Sequence, residues 1–204
     1  YASSSSVYGD SPELPKVEER TGKVLSPYAI TKIVNEEYAR VFGNLYGMET
    51  VGMRYFNVFG RRQDPNGPYA AVIPKFTIAF MKHESPVING DGSNSRDFTY
   101  IDNVILANNL AATVKKPAAL NQVYNVACGD SVNLNEMTSL LKGYLAMRDP
   151  LINKVDPKHG PQRAGDIPHS MASVGKAVSL LGYKPQVLFS EGLKRAVEWY
   201  VNNL

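Results

Sequence analysis

Apolar positions recur at two periods along the chain, near 3.6 residues in some stretches and near two or unbroken in others. Helices and strands should therefore alternate. The clearest helix starts at Ser26-Pro27, where a serine can accept from orphan N–H groups and proline fits the first helical position. Ile30, Val34, Tyr38, Val41, Phe42 and Leu45 then fall near one face, predicting an amphipathic helix to about Tyr46 with Gly47 as its C-cap. Residues 49–56 are β-like through Thr50, Val51, Tyr55 and Phe56. Further helices are expected over 70–82, from Asp102 as a cap through Ala111, from the capping-box-like Asn133-x-x-Glu136 to about 146, over 174–181 up to Gly182, and over 191–201 after Ser190. Short extended stretches fall at 86–89, 98–101 and 122–127. Residues 10–26, 60–67 and 147–170 are punctuated by Pro and Gly and read as irregular. Such alternation indicates an α/β fold.

Composition narrows the class. The 204 residues carry 22 Lys and Arg against 19 Asp and Glu, net +3, with 44% hydrophobic and 20% charged residues, enough to bury a core. The single Cys128 allows no internal disulfide and no multi-cysteine zinc site, and His83, His159 and His169 lack ligand spacing, so no metal is expected. No apolar run approaches the roughly 20 residues of a membrane span. The polar start of the sequence leads to the expectation of no signal peptide. These features predict a cytoplasmic protein with no membrane partner. The mild positive charge argues against nucleic acid and suits a small anionic ligand.

Several residue sets could carry chemistry. Tyr28 and Lys32 stand one helical turn apart on one face, and an ammonium beside a phenol favours the phenolate, a general base. The serines Ser3–Ser6 end a strand, and Ser4 lies 24 residues before Tyr28, so a serine hydroxyl could hold the same substrate oxygen. In Arg54-Tyr55-Phe56-Asn57, Asn57 marks the carboxyl end of a strand, where open α/β sheets bind ligands. Asn89-Gly90-Asp91-Gly92 with Arg96-Asp97-Phe98, and Arg163-Ala164-Gly165-Asp166, supply arginines that can grip a diphosphate.

In chain order, Ser-Ser-Ser-Ser-Val-Tyr-Gly, Ser-Pro-Tyr-x-x-x-Lys, Arg-Tyr-Phe-Asn-Val-Phe-Gly, Gly-Asp-Gly with Arg-Asp-Phe-x-Tyr-Ile-Asp, Tyr-Asn-Val-Ala, Arg-Ala-Gly-Asp and Gly-Leu with Trp-Tyr span nearly the whole sequence. The set resembles the NAD-dependent nucleotide-sugar epimerases of the extended short-chain dehydrogenase/reductases, most closely bacterial UDP-N-acetylglucosamine 4-epimerases. That resemblance implies an α/β fold with a partial Rossmann-like parallel sheet, its N-terminal strands missing, plus a smaller mixed α/β substrate domain. The sheet domain would take residues 1–57 and 97–116, and the nucleotide-sugar domain 58–96 and 117–204. It implies Tyr28 as catalytic base, Lys32 as its electrostatic partner and a ribose contact, and Ser4 on the sugar 4-hydroxyl with Ser5 and Ser6 as accessory donors. Tyr55 and Phe56 would border the nicotinamide of NAD. Asn57, Asn89, Arg96, Arg163 and Asp166 would hold UDP, Ala71 and Val72 would face the nucleotide, and a small Ser170 would gate the pocket open to 2-acetamido sugars.

The implied reaction is C4 epimerisation of UDP-GlcNAc/UDP-GalNAc, or of their uronic acids, through a 4-keto sugar. The implied assembly is a homodimer through a helix pair that includes the Tyr28 helix, whose partner helix would precede Tyr1. The sequence departs from the family pattern in having no Gly-x-Gly-x-x-Gly between a strand and a helix. The chain is therefore expected to be the carboxyl-terminal part of such an enzyme, to hold NAD poorly and to be inactive alone. Related dehydratases carry acidic residues where Ser5 and Ser6 stand, which disfavours elimination. Two further functions compete with epimerisation: nucleotide-sugar binding by a fragment without catalysis, and a redox reaction that releases a keto product.

Overall fold

The computed structural model describes residues 1–65, 71–163 and 166–203. The elements in order are β1 (Ala2–Ser4), α1 (Pro27–Tyr46), β2 (Val51–Tyr55), β3 (Val58–Phe59), α2 (Val72–Met81), β4 (Val87–Asn89), β5 (Ser95–Arg96), β6 (Thr99–Tyr100), α3 (Ile101–Thr113), β7 (Gln122–Val126), β8 (Val132–Asn133), α4 (Leu134–Ala146), β9 (Lys158–Gly160), β10 (His169–Ser170), α5 (Gly175–Leu181) and α6 (Phe189–Asn203).

Strands β1, β2 and β7 form an all-parallel sheet in that order, with Ser4 opposite Tyr55 and Tyr55 opposite Val126. Its two faces differ in kind. Met53, Tyr124 and Val126 pack with Ala107 of α3 and Ala177 and Leu181 of α5 in one apolar cluster. Gly52 and Arg54 alternate with Met53 and so point to the opposite face, where α1 lies along β1. A larger core joins β4, β6, α2, α4 and α6 through Ile73, Phe80, Ile88, Met137, Leu141 and Leu193. Around it run three small sheets: β3 parallel to β6, β4 parallel to β9, and β5 between a parallel β10 and an antiparallel β8.

Local signals account for the element ends. Ser26 Oγ accepts from the Ala29 N–H at 3.2 Å, Pro27 opens α1, and Gly47 closes it in the left-handed region at φ 65°. Asn133 and Glu136 form a reciprocal capping box at α4.

Several expectations need correction. The apolar stripe of α1 does not face the core: Ile30, Tyr38 and Leu45 are 52%, 62% and 68% exposed, while Ala29, Ala39 and the carboxylate of Glu36 turn inward. Asp102 is not a cap; it lies in the first turn of α3 and pairs with Arg61 and Arg195. Helix α6 starts at Phe189, ahead of Ser190. The stretch 147–170 holds a 3-10 turn at Pro150–Lys154 and strands β9 and β10, whose pairing partners lie far back in sequence. Strand β7 pairs with β2, so a division at residue 117 leaves one strand of the main sheet on the wrong side.

A buried ion pair fixes α1 on the sheet. Arg54 Nε and Nη2 donate to the two carboxylate oxygens of Glu36 at 2.9 and 2.7 Å, Nη1 donates to the Glu18 carbonyl at 2.9 Å, and Ser3 Oγ donates to Glu36. The arginine and carboxylate side chains are 6% and 13% exposed. Removing one partner strands the other charge, whereas replacing both with apolar groups does not. Glu36→Ala should therefore cost about 3 kcal/mol in urea denaturation, and the Arg54→Leu/Glu36→Leu double variant should recover most of that loss.

Candidate active site

The carboxyl ends of β1 and β2 carry the polar groups. Beyond β1, Ser4 caps a 3-10 turn over Ser5–Tyr8: its Oγ accepts from the Ser6 N–H at 3.2 Å. That bond occupies a lone pair and leaves the Ser4 O–H free to donate. Ser6 Oγ is buried and has no partner among the described residues. Helix α1 packs on β1 and on this turn, bringing Tyr28 and Lys32 alongside. The Lys32 ammonium lies over the Tyr28 ring at 5.5 Å from its centroid and donates to the Ala2 carbonyl at 3.4 Å. The helical turn thus places cation and phenol together, with the lysine anchored to the strand that ends in the serines.

Beyond β2 the two aromatic candidates diverge. Tyr55 turns to α3 and its hydroxyl donates to Asn108 Oδ1 at 3.2 Å. Phe56 is fully buried with Val7, Tyr8, Ala127 and Ala172, forming a small core beneath the strand ends. Asn57 takes a positive φ of 33°, which asparagine tolerates better than most residues, and its Nδ2 donates to the Asp97 carbonyl at 3.0 Å.

A cavity of about 420 Å³ opens next to Asn57 and brings together Asn57, Ala71, Val72, Asn89, Arg96, Arg163 and Asp166. These come from five separate segments of the chain. Its volume is in the range of small-ligand pockets. Phe76, Val87, Phe98 and Leu134 give it apolar walls, and Lys75 adds a cation. Arg96 donates to the carbonyls of Ser95 and Pro168 at 2.9 and 3.2 Å and stands 4.0 Å from Asp166. The first turn of α2 borders the cavity with no side-chain cap. Ser170 does not line this cavity: it sits in β10, in register with Arg96, and its carbonyl accepts from the Asp97 N–H at 2.8 Å. The motif segment around Arg163 includes residues 164 and 165, outside the described residues.

The apolar walls were not legible as a site, because each residue alone reads as core. Asp97 was also missed as an organising group. Its buried carboxylate accepts from the Cys128, Gly129 and Ala172 N–H groups at 2.9, 3.0 and 3.2 Å, tying the loop after β7 and the segment after β10 beneath the cavity. Cys128 is no nucleophile candidate, since burial, then the nearby Asp97 and Asp130 carboxylates, push its thiol up to about 12.

Comparison with known proteins gives the family. Residues 1–127 match the model of the NAD dependent epimerase/dehydratase family. The chain belongs to that family. It is 41% identical to a UDP-N-acetylglucosamine 4-epimerase from Methanobrevibacter ruminantium solved with UDP-N-acetylmuramic acid; the match has a TM-score of 0.90 and covers 100% of this chain and 63% of that one. It is 33% identical over 201 residues to the UDP-glucose 4-epimerase of Mycolicibacterium smegmatis, covering 98% of this chain and 61% of that protein. It is 27% identical to a Bacillus cereus UDP-glucuronic acid 4-epimerase solved with UDP-glucuronic acid and NAD, at TM-score 0.86, covering 100% of this chain and 61% of that one. The chain thus spans about three fifths of these relatives, all named as 4-epimerases of UDP-sugars. Among the described residues no helix is long and apolar enough to cross a membrane.

Burial pushes the Asp97 carboxyl up to about 6, outweighing three N–H donors that favour the charged form. A carboxyl raised above its unfolded value of 3.8 binds its proton more tightly in the folded state, so its contribution to stability is full below that value and lost as pH rises through 6. Between pH 4 and 6.5 the parent chain should lose about 2 kcal/mol relative to Asp97→Asn, read from urea denaturation at each pH.

Proposed function

We propose that the protein containing this chain inverts C4 of a UDP-N-acetylhexosamine, interconverting UDP-GlcNAc and UDP-GalNAc or the corresponding uronic acids, through a 4-keto sugar. One observation carries the reading: the serine turn, the Tyr28–Lys32 pair and a cation-lined cavity are all held at the carboxyl ends of parallel strands. In this reading the cavity grips UDP through Asn57, Ala71, Val72, Asn89, Arg96, Arg163 and Asp166, and the serine turn holds the sugar.

The chain's residues fit the nicotinamide end of NAD in part. Lys32 offers an ammonium and Tyr28 a hydroxyl at the edge of the sheet, and the Ser6 hydroxyl is buried without a hydrogen-bond partner among the described residues. No strand-to-helix glycine loop for a pyrophosphate occurs in the sequence. When bound, NAD supplies the reversible hydride acceptor for C4.

Tyr28 takes the proton of the sugar 4-hydroxyl and later returns it, while Lys32 stabilises the phenolate by its charge. The Ser4 O–H donates to the same sugar oxygen, which leaves Tyr28 the single base. Polar hold concentrated on the nucleotide leaves the keto sugar able to turn over between proton removal and return, so either face of C4 can be reduced. The acetamido sugar is favoured by the 41% identical relative, which is named as a UDP-N-acetylglucosamine 4-epimerase. Serines at positions 5 and 6 lack the acid and base that elimination needs.

In the whole protein supplied with NAD, Tyr28→Phe should lower conversion of UDP-GlcNAc to UDP-GalNAc by at least about 1000-fold and leave UDP affinity within twofold. Retained turnover would remove Tyr28 from the proton step.

A further inference from the structure

The cavity carries one cation, Lys75, that the proposed contacts to UDP leave without a role. Three cations border it, Lys75, Arg96 and Arg163, against one carboxylate, Asp166. Arg96 meets that carboxylate only at 4.0 Å. Among the described residues Lys75 and Arg163 form no ion pair and no side-chain hydrogen bond. Lys75 is also placed against local preference. It stands in the first turn or so of α2, where the aligned peptide dipoles repel a cation, and that turn has neither an acidic residue nor a capping side chain to offset it. Residues that break a local rule in this way concentrate at functional sites.

We infer that Lys75 is a diphosphate-binding residue of this cavity, so that three cations against Asp166 leave an excess of two charges to be met by the diphosphate of a nucleoside diphosphate ester. The assignment rests on the nucleotide-binding reading and deepens it by naming the group that sets selectivity for a diphosphate over a monophosphate or a free nucleoside. A flexible ammonium suits this role, because it can follow a phosphate oxygen without the fixed fork of the arginines. The exposed stem of Lys75 keeps its substitution from disturbing the core.

Calorimetric titration of the 204-residue chain with UDP, UMP and uridine tests the assignment. The parent chain should prefer UDP to UMP and UMP to uridine. Lys75→Gln should weaken UDP by about 5- to 10-fold, weaken UMP less and leave uridine unchanged, with a shallower dependence of UDP affinity on salt. Lys75→Arg should restore most of the loss. Lys75→Glu should bind UDP more weakly still while raising the melting temperature, since an acid suits the start of α2. That opposite movement of stability and binding separates a ligand contact from a structural role. Parent-like UDP affinity and salt dependence in Lys75→Gln would overturn the assignment and leave the nucleotide reading standing. A parent chain that does not prefer UDP to uridine would overturn the nucleotide reading itself, and this assignment with it.

Discussion

The buried pair between Arg54 and Glu36 is the constraint on which the edge carrying Ser4, Tyr28 and Lys32 depends. It joins the middle strand of the sheet to α1 at the turn just past Lys32, and the Ser3 hydroxyl binds the same carboxylate. Tyr28, Lys32 and Glu36 recur at four-residue spacing, so they share one helix face. Fixing Glu36 against β2 therefore fixes where Tyr28 and Lys32 meet the strand that ends in Ser4. Such a pair contributes little net stability compared with an apolar replacement. Its worth here is positional: a bidentate fork admits one rotation and one height of the helix.

The cavity side of the molecule is held by a different device. Its segments are short strands and loops, which by themselves pack weakly. Buried polar side chains stitch them together instead. Asp97 binds three N–H groups from two segments, and Asn125 Nδ2 binds the carbonyls of Lys16 and Ser173 while its Oδ1 accepts from Tyr8. Low local dielectric strengthens each of these bonds and makes their loss costly. The cavity is thus a rigid frame with apolar walls, an excess of positive charge and few internal ion pairs, an arrangement suited to an anionic, aromatic ligand.

Much of this was legible in the sequence where the signal is local. Ser26-Pro27 and the Asn133–Glu136 box depend on residues within four positions of one another and form as read, and the same short spacing sets the Lys32 ammonium over the Tyr28 ring. The gathering of Asn57, Asn89, Arg96, Arg163 and Asp166 around one cavity followed the family resemblance rather than any period. What failed depends on long-range partners. The stripe on α1 obeys the amphipathic rule, yet the helix docks through alanines and a carboxylate, because its sheet-facing partner is an arginine. Strands β9 and β10 exist only through pairing with β4 and β5, which no window of adjacent residues contains. Ser170 fell outside the cavity because a register position does not specify where the ligand space ends.

In the proposed function UDP is held in the cavity between Asn57, Asn89 and Arg96. The most direct measurement is nuclear magnetic resonance of the isotope-labelled chain during addition of UDP. The side-chain amides of Asn57 and Asn89 and the guanidinium of Arg96 should move together and saturate, with the apolar stripe of α1 unmoved. Shifts confined to α1, or to the groove between Leu140, Met147 and Leu188, would contradict the account.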